Sequence, residues 1–384
     1  MKIAIIAFTG VYPIHIGGPG SVAYFVSKWL GEFGHDITLF VRVKTQEEHK
    51  RIEEIDEFKR LRNVHVVPAI LGDSFRIYAN LPYLGYKILA ITKRFSCERF
   101  EVVHYNSPPS VTTFLFPLIA KLKQSKQTLA IHGGIFYEYK IPISKLIVKM
   151  GRNWFKKVIV LNDFSRDLTK KALGFKEEKI VVIPNGVELE AIDKVKPLNL
   201  LGEPKILYVG RLVKIKGVDV LLQSFSVFIR KFPQAILYIV GDGPLRSSLE
   251  KLAEKLGIRE KVVFKGFIPP PFVWRYYKSV DVVVLPSYME NFSITLLEAM
   301  ASKVPIIASD APGNVSILKD GENGLLFPRG NWEELNTRMI NIISDNNLRR
   351  RIIANGYQLV RDRYDWKKIA VKYHETFQSL LTKS

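Results

Sequence analysis

Residues 279–312 read SVDVVVLPSYMENFSITLLEAMASKVPIIASDAP. Within them, 281–285 is a short apolar run with β-branched residues, which predicts a strand buried on both faces of a parallel sheet. Pro286 and Ser287 end it. Glu290, Asn291 and Phe292 form a loop, Ser293 is placed as an N-cap, and the helix formers Leu296 to Ala301 follow. After Lys303 the chain returns to strand over 304–308. The unit is strand, loop, helix, strand, and in such sheets ligands lie at the carboxyl ends of the strands, near the helix N-terminus.

That helix start carries unpaired N–H groups and a partial positive charge, which suits a phosphate. Glu290 precedes it and Glu298 lies more than one turn inside, so two carboxylates bracket the site. Carboxylates accept hydrogen bonds from hydroxyls, the groups that sugars and riboses carry.

Working outward, 206–209 predicts another strand, with Gly210-Arg211 at its carboxyl end and Lys214, Lys216 and Gly217 before the next helix. A planar guanidinium fork and a point charge in one loop are what a pyrophosphate needs. The strand 236–240 ends at Gly241-Asp242-Gly243-Pro244. Strands alternate with helices through residue 308, the signature of a doubly wound sheet.

The first half repeats the pattern. A strand over 3–8 leads into a Gly- and Pro-rich loop containing Gly17-Gly18, where the missing Cβ lets backbone approach a ligand. A dinucleotide fingerprint does not follow that strand at the required spacing. The strand 129–132 ends in His132-Gly133-Gly134, which places an imidazole at a carboxyl end. Residues 140–157 predict a basic amphipathic helix with Ile143, Leu146, Ile147, Met150 and Trp154 on one face.

The 384 residues predict two domains, and 47% hydrophobic with 24% charged residues is normal for a globular chain. No apolar run is long enough for a membrane span and no signal peptide is evident, so a cytoplasmic protein is expected. The single cysteine, Cys97, excludes an internal disulfide and a cysteine-based metal site. The net charge of +20 implies an anionic partner. Residues 121–171 carry twelve Lys and Arg against three acids, a net of +9, which would suit an anionic membrane surface. Nucleic-acid binding is disfavoured, because neither interleaved aromatics nor zinc spacing is present.

The spacing from Glu290 to Glu298 resembles the E-x7-E motif of GT-B glycosyltransferases, in particular the retaining glycosyltransferase family 4. Gly210 to Gly217 resembles its GR-x4-KG run, 241–244 its GDGP, 184–187 its PNGV and 320–327 its DGxNGLLF. Asn291, Ser293 and Ser316 stand where the family often has Pro, Gly and Glu. The resemblance implies two Rossmann-like α/β domains facing across a cleft: 1–195 with a C-terminal crossover helix at 366–384 for the acceptor, and 196–365 for the donor. It implies a UDP- or GDP-sugar donor, a glycan or lipid-linked acceptor, no metal and no cofactor. Arg211 and Lys216 would neutralise the diphosphate, and Glu290 and His132 would act at the sugar. Gly17, Gly18, Gly210, Gly241, Asn291, Phe292, Ser293, Ile294 and Glu298 would hold the donor. The alternatives are a nucleotide-sugar epimerase or hydrolase of the same shape and, less favoured, a protein that binds an anionic polymer.

Overall fold

The structure is a computed structural model, which describes residues 1–7, 18–43, 45–52, 55–70, 92–93, 95–107, 115–133 and 148–382. The chain divides into two compact units, Met1–Asn185 with Trp366–Ser384, and Gly186–Asp365.

The first unit is built on seven strands: β1 (Lys2–Ala7), β2 (Asp36–Val43), β3 (Val64–Ile70), β4 (Val102–Tyr105), β5 (Lys126–Ile131), β6 (Phe155–Val160) and β7 (Ile180–Val182). All pair in parallel, in the order β3-β2-β1-β4-β5-β6-β7. Apolar β-branched runs make such strands because both faces are buried. Ile3 and Ile5 face a core completed by the helices Gly18–Glu32 and Trp366–Thr382. Ala4 and Ile6 face the opposite core, with Phe116 and Leu173. Helices on both faces make the sheet doubly wound.

The second unit repeats this with β8 (Lys205–Val209), β9 (Ile236–Val240), β10 (Val262–Gly266), β11 (Val282–Leu285), β12 (Ile306–Ser309) and β13 (Leu325–Phe327). Their order is β10-β9-β8-β11-β12-β13, also parallel. The order reverses between β8 and β11, whose register pairs Val282 with Ile206 and Val283 with Leu207. A crevice opens beyond the carboxyl ends of strands at such a switch point.

Three expectations need correction. The boundary expected at residue 195 moves to 185/186, because the helix Leu189–Lys194 buries Leu189 and Ile192 in a core of the second unit. The strand expected over 304–308 begins at Ile306, since Lys303 adopts φ +60 and Val304 N–H still donates to Ala299 O. The basic helix expected over 140–157 is helical over 148–151 only, within the described residues. Phe155–Val160 is strand β6, because the apolar run 158–160 is drawn into the sheet between β5 and β7. Val148 is buried and Met150 is exposed, while Ile143, Leu146 and Ile147 lie outside the described residues.

Candidate active site

In the second unit, the loops after β8 and β11 leave the sheet side by side, which brings the two motifs together. The first loop makes a 3-10 turn, Lys214–Lys216, closed by Gly217. Gly217 has φ +62, and a Cβ there would lie 2.2 Å from the carbonyl oxygen of Pro286 at the end of β11. Only glycine satisfies both the backbone angle and that approach. Tyr288 N–H then donates to Ile215 O at 2.8 Å, joining the two loops directly.

The joined loops set Lys216 against Glu290. Lys216 Nζ donates to Glu290 Oε1 at 2.5 Å, and Ser287 Oγ donates to the same oxygen at 2.9 Å. Glu290 is buried, and its Oε2 has no partner among the described residues. Ser309 Oγ donates to Ser287 O, and Asn314 Nδ2 to Ser309 O at 3.0 Å, so a buried polar chain holds the loop from below. Arg211 is exposed and makes no ion pair among the described residues. Its carbonyl accepts the Tyr208 hydroxyl at 3.0 Å. Burial, reinforced by the Glu290 charge, pushes the Tyr208 hydroxyl well above its ordinary value, so this group stays neutral.

The backbone at Glu290 is pinned by a third loop. Gly313 N–H donates to Glu290 O at 2.9 Å, and a Cβ on Gly313 would sit 2.5 Å from the carbonyl carbon of Asn291. Gly313→Ala is therefore expected to displace Glu290 and to lower stability by about 1–3 kcal/mol, the usual range for overpacking. Chemical denaturation measures this, and an unchanged midpoint would show that the contact yields without strain.

The helix Ile294–Ala301 follows, with Ser293 at the N-cap position but without the side-chain cap that its sequence suggests. Phe292 packs on Tyr364, ring centroids 6.0 Å apart, within the same unit. Glu298 is half-buried; Oε1 accepts Trp274 Nε1–H at 2.9 Å and Oε2 accepts the Tyr277 hydroxyl at 3.0 Å. Burial raises its carboxyl above the usual range, and the two hydrogen bonds oppose that shift. Gly210 and Gly241 end neighbouring strands β8 and β9, and Gly210 N–H donates to Val240 O at 3.0 Å.

In the first unit His132 lies just beyond β5. Its Nε2 is 2.9 Å from Asn106 Oδ1, and its Nδ1 is buried without a partner among the described residues. Burial lowers its imidazole to about 4. Beside it, wholly buried His104 falls to about 3, through burial first and the neighbouring His132 second. Gly18 opens the helix Gly18–Glu32, while Gly17 lies outside the described residues.

The structure thus brings Lys216, Glu290 and the loop of Arg211 together, and places Glu298 on the helix that follows Glu290. Sequence reasoning missed Ser287, Trp274, Tyr277, Asn106 and His104. Ser287, three residues before Glu290 in one loop, was the findable one; the others are brought in by elements remote in sequence.

Among the described residues no helix is long and apolar enough to cross a membrane. The family model described as glycosyl transferases group 1 matches residues 191–359, and that of glycosyltransferase family 4 matches 16–191. Two uncharacterised glycosyltransferases of Methanocaldococcus jannaschii are similar in sequence. One is 35% identical over 50% of this chain and 52% of its own length, so this match spans about half of that relative. The other is 27% identical over 99% of both chains. In fold the chain is similar to sucrose-phosphate synthase from Thermosynechococcus elongatus, with TM-score 0.79, 21% identity and full coverage of both chains. It is also similar to Anabaena HepE in complex with UDP-glucose, with TM-score 0.73, 18% identity, and 99% and 100% coverage.

Proposed function

This chain is a glycosyltransferase of the group 1 and family 4 type with the GT-B fold, and from that premise we propose that it moves a sugar from a nucleoside-diphosphate donor, UDP- or GDP-linked, to a glycan or lipid-linked acceptor. The observation that carries this reading is the Lys216–Glu290 contact beside exposed Arg211, at the switch point of the second sheet. Arg211 and Lys216 offer two cations to a diphosphate, and Glu290 Oε2 retains its capacity to accept a sugar hydroxyl. The backbone of Asn291, Phe292, Ser293 and Ile294 borders the same sugar. Glu298 takes the ribose hydroxyls, and Gly210 and Gly241 let the nucleotide approach the strand ends. In the first unit, His132 is held neutral by burial and accepts a hydrogen bond from a sugar hydroxyl through its free Nδ1. The net +9 of residues 121–171 supports an anionic acceptor or an anionic membrane surface near it.

In the proposed step the bond from the anomeric carbon to the diphosphate breaks, and the acceptor oxygen bonds to that carbon on the same face. The acceptor proton passes to a leaving phosphate oxygen, so configuration is retained and the nucleoside diphosphate leaves. Arg211 and Lys216 stabilise the charge that grows on the leaving group.

Thermal unfolding against a panel of UDP- and GDP-sugars tests the donor. A ligand at a hundred times its Kd adds about 2.7 kcal/mol of stability, so one nucleotide sugar is expected to raise the melting midpoint by several degrees. With that donor, turnover is expected only when an acceptor extract is present. Release of nucleotide at the same rate without acceptor would identify an epimerase or hydrolase instead.

A further inference from the structure

Glu298 is held on both oxygens by one short helix, Phe272–Tyr277. Trp274 and Tyr277 are three residues apart on it and so share a face. Both are buried, at 8% and 0% exposure, and each donates to a different carboxylate oxygen. The Tyr277 hydroxyl is pushed well above its ordinary value by burial and by the Glu298 charge, so it serves Glu298 as a donor. A glutamate has three rotatable side-chain bonds, and a carboxylate fixed at both oxygens has lost that freedom before any ligand arrives. Each oxygen keeps a second lone pair, so the fixed group still accepts two further hydrogen bonds in set directions.

We infer that Trp274 and Tyr277 are positioning residues for the nucleotide, and that they orient the Glu298 carboxylate so that it selects a ligand presenting two neighbouring hydroxyls, as ribose does and deoxyribose does not. The inference rests on the donor reading of Glu298 above and adds the two residues through which that contact becomes specific. Neither residue touches the ligand. Their contribution lies in the orientation of a third side chain, and a ligand that lacks one hydroxyl has little use for it.

The test is calorimetric binding of UDP, GDP and their 2′-deoxy forms to the full chain and to its Tyr277→Phe and Trp274→Phe variants. The wild type is expected to bind the better ribonucleotide about ten- to a hundredfold more tightly than its deoxy form, the worth of one hydrogen bond to a charged group. Each variant is expected to lose affinity for the ribonucleotide by a similar factor and for the deoxynucleotide by less than about twofold, as coupled groups do. With the cognate sugar donor, KM is expected to rise and kcat to stay within about twofold. If both variants weaken ribo and deoxy forms equally, or neither form, the positioning role is overturned while the donor site stands. If no nucleotide binds the wild type, the donor reading falls and the inference falls with it. Packing loss in a variant shows as a lower melting midpoint without ligand, and it leaves the ribo-to-deoxy ratio unmoved, so a preserved ratio counts against the proposal.

Discussion

Replacing Arg211 by alanine is expected to lower turnover about 10²–10³-fold, the effect of removing one charge-stabilising group, while leaving the melting midpoint nearly unchanged. The second half of that statement follows from its surroundings. Arg211 is exposed and unpaired among the described residues, so its loss opens no cavity and strands no buried charge. Lys216→Ala is expected to cost a similar factor in turnover but to behave differently on unfolding. Lys216 neutralises Glu290 at 2.5 Å, and the two side chains are only 20% and 9% exposed. Removing the lysine leaves a largely buried carboxylate with Ser287 as its remaining donor, a loss of about 1–3 kcal/mol. The Lys216→Ala, Glu290→Gln double variant is expected to recover most of that stability and none of the turnover. Full transfer by Arg211→Ala would remove the diphosphate from this loop.

The second large effect is acid sensitivity of the first unit. His104 and His132 sit at about 3 and about 4, below the ordinary 6.5, because burial disfavours their charged forms. The folded chain therefore binds these protons less readily than the unfolded chain. Between pH 6.5 and about 4 the unfolded state holds more protons, so stability falls as pH is lowered through that window. Each imidazole contributes a slope of up to roughly 1.4 kcal/mol per pH unit, and the pair accounts for up to roughly 4 kcal/mol at pH 5. Hydrogen exchange at the amides of β4 and β5 reads this for the first unit alone. Protection is expected to drop between pH 6.5 and 5, and a His104→Gln, His132→Gln variant to reduce the dependence to the part carried by His35, which burial also lowers to about 4 in the same unit. Protection independent of pH in the wild type would show that these imidazoles are solvated.

Much of the fold was legible because its signals are local. The apolar runs at 3–7, 206–209 and 282–285 are each continuous, and glycines or prolines end them, so strand positions and the doubly wound class follow from short windows. The helix expected over 140–157 was wrong over 155–157, because helical spacing and a buried strand share apolar residues. There Phe155–Val160 lies between two strands, and sheet pairing overrode the helical pattern. The boundary at 195 failed because prolines and a glycine mark an irregular stretch but do not say which core claims the helix before it.

The site divides in the same way. Amino-acid order alone placed the candidates Arg211, Lys216 and His132 at or just beyond strand ends, Glu290 in the loop before a helix and Glu298 inside that helix. It could not supply their partners. Lys216 and Glu290 are 74 residues apart and meet because β8 and β11 are neighbours in the sheet. Glu298 is oriented by Trp274 and Tyr277 from a different helix, and His132 is backed by Asn106 and His104 from the adjacent strand and its end. Strand order in a parallel sheet is set by crossovers that bury apolar faces, and separation along the chain carries no record of it. Which charges neutralise each other, and which are left free for a ligand, was therefore decided only when the sheets closed.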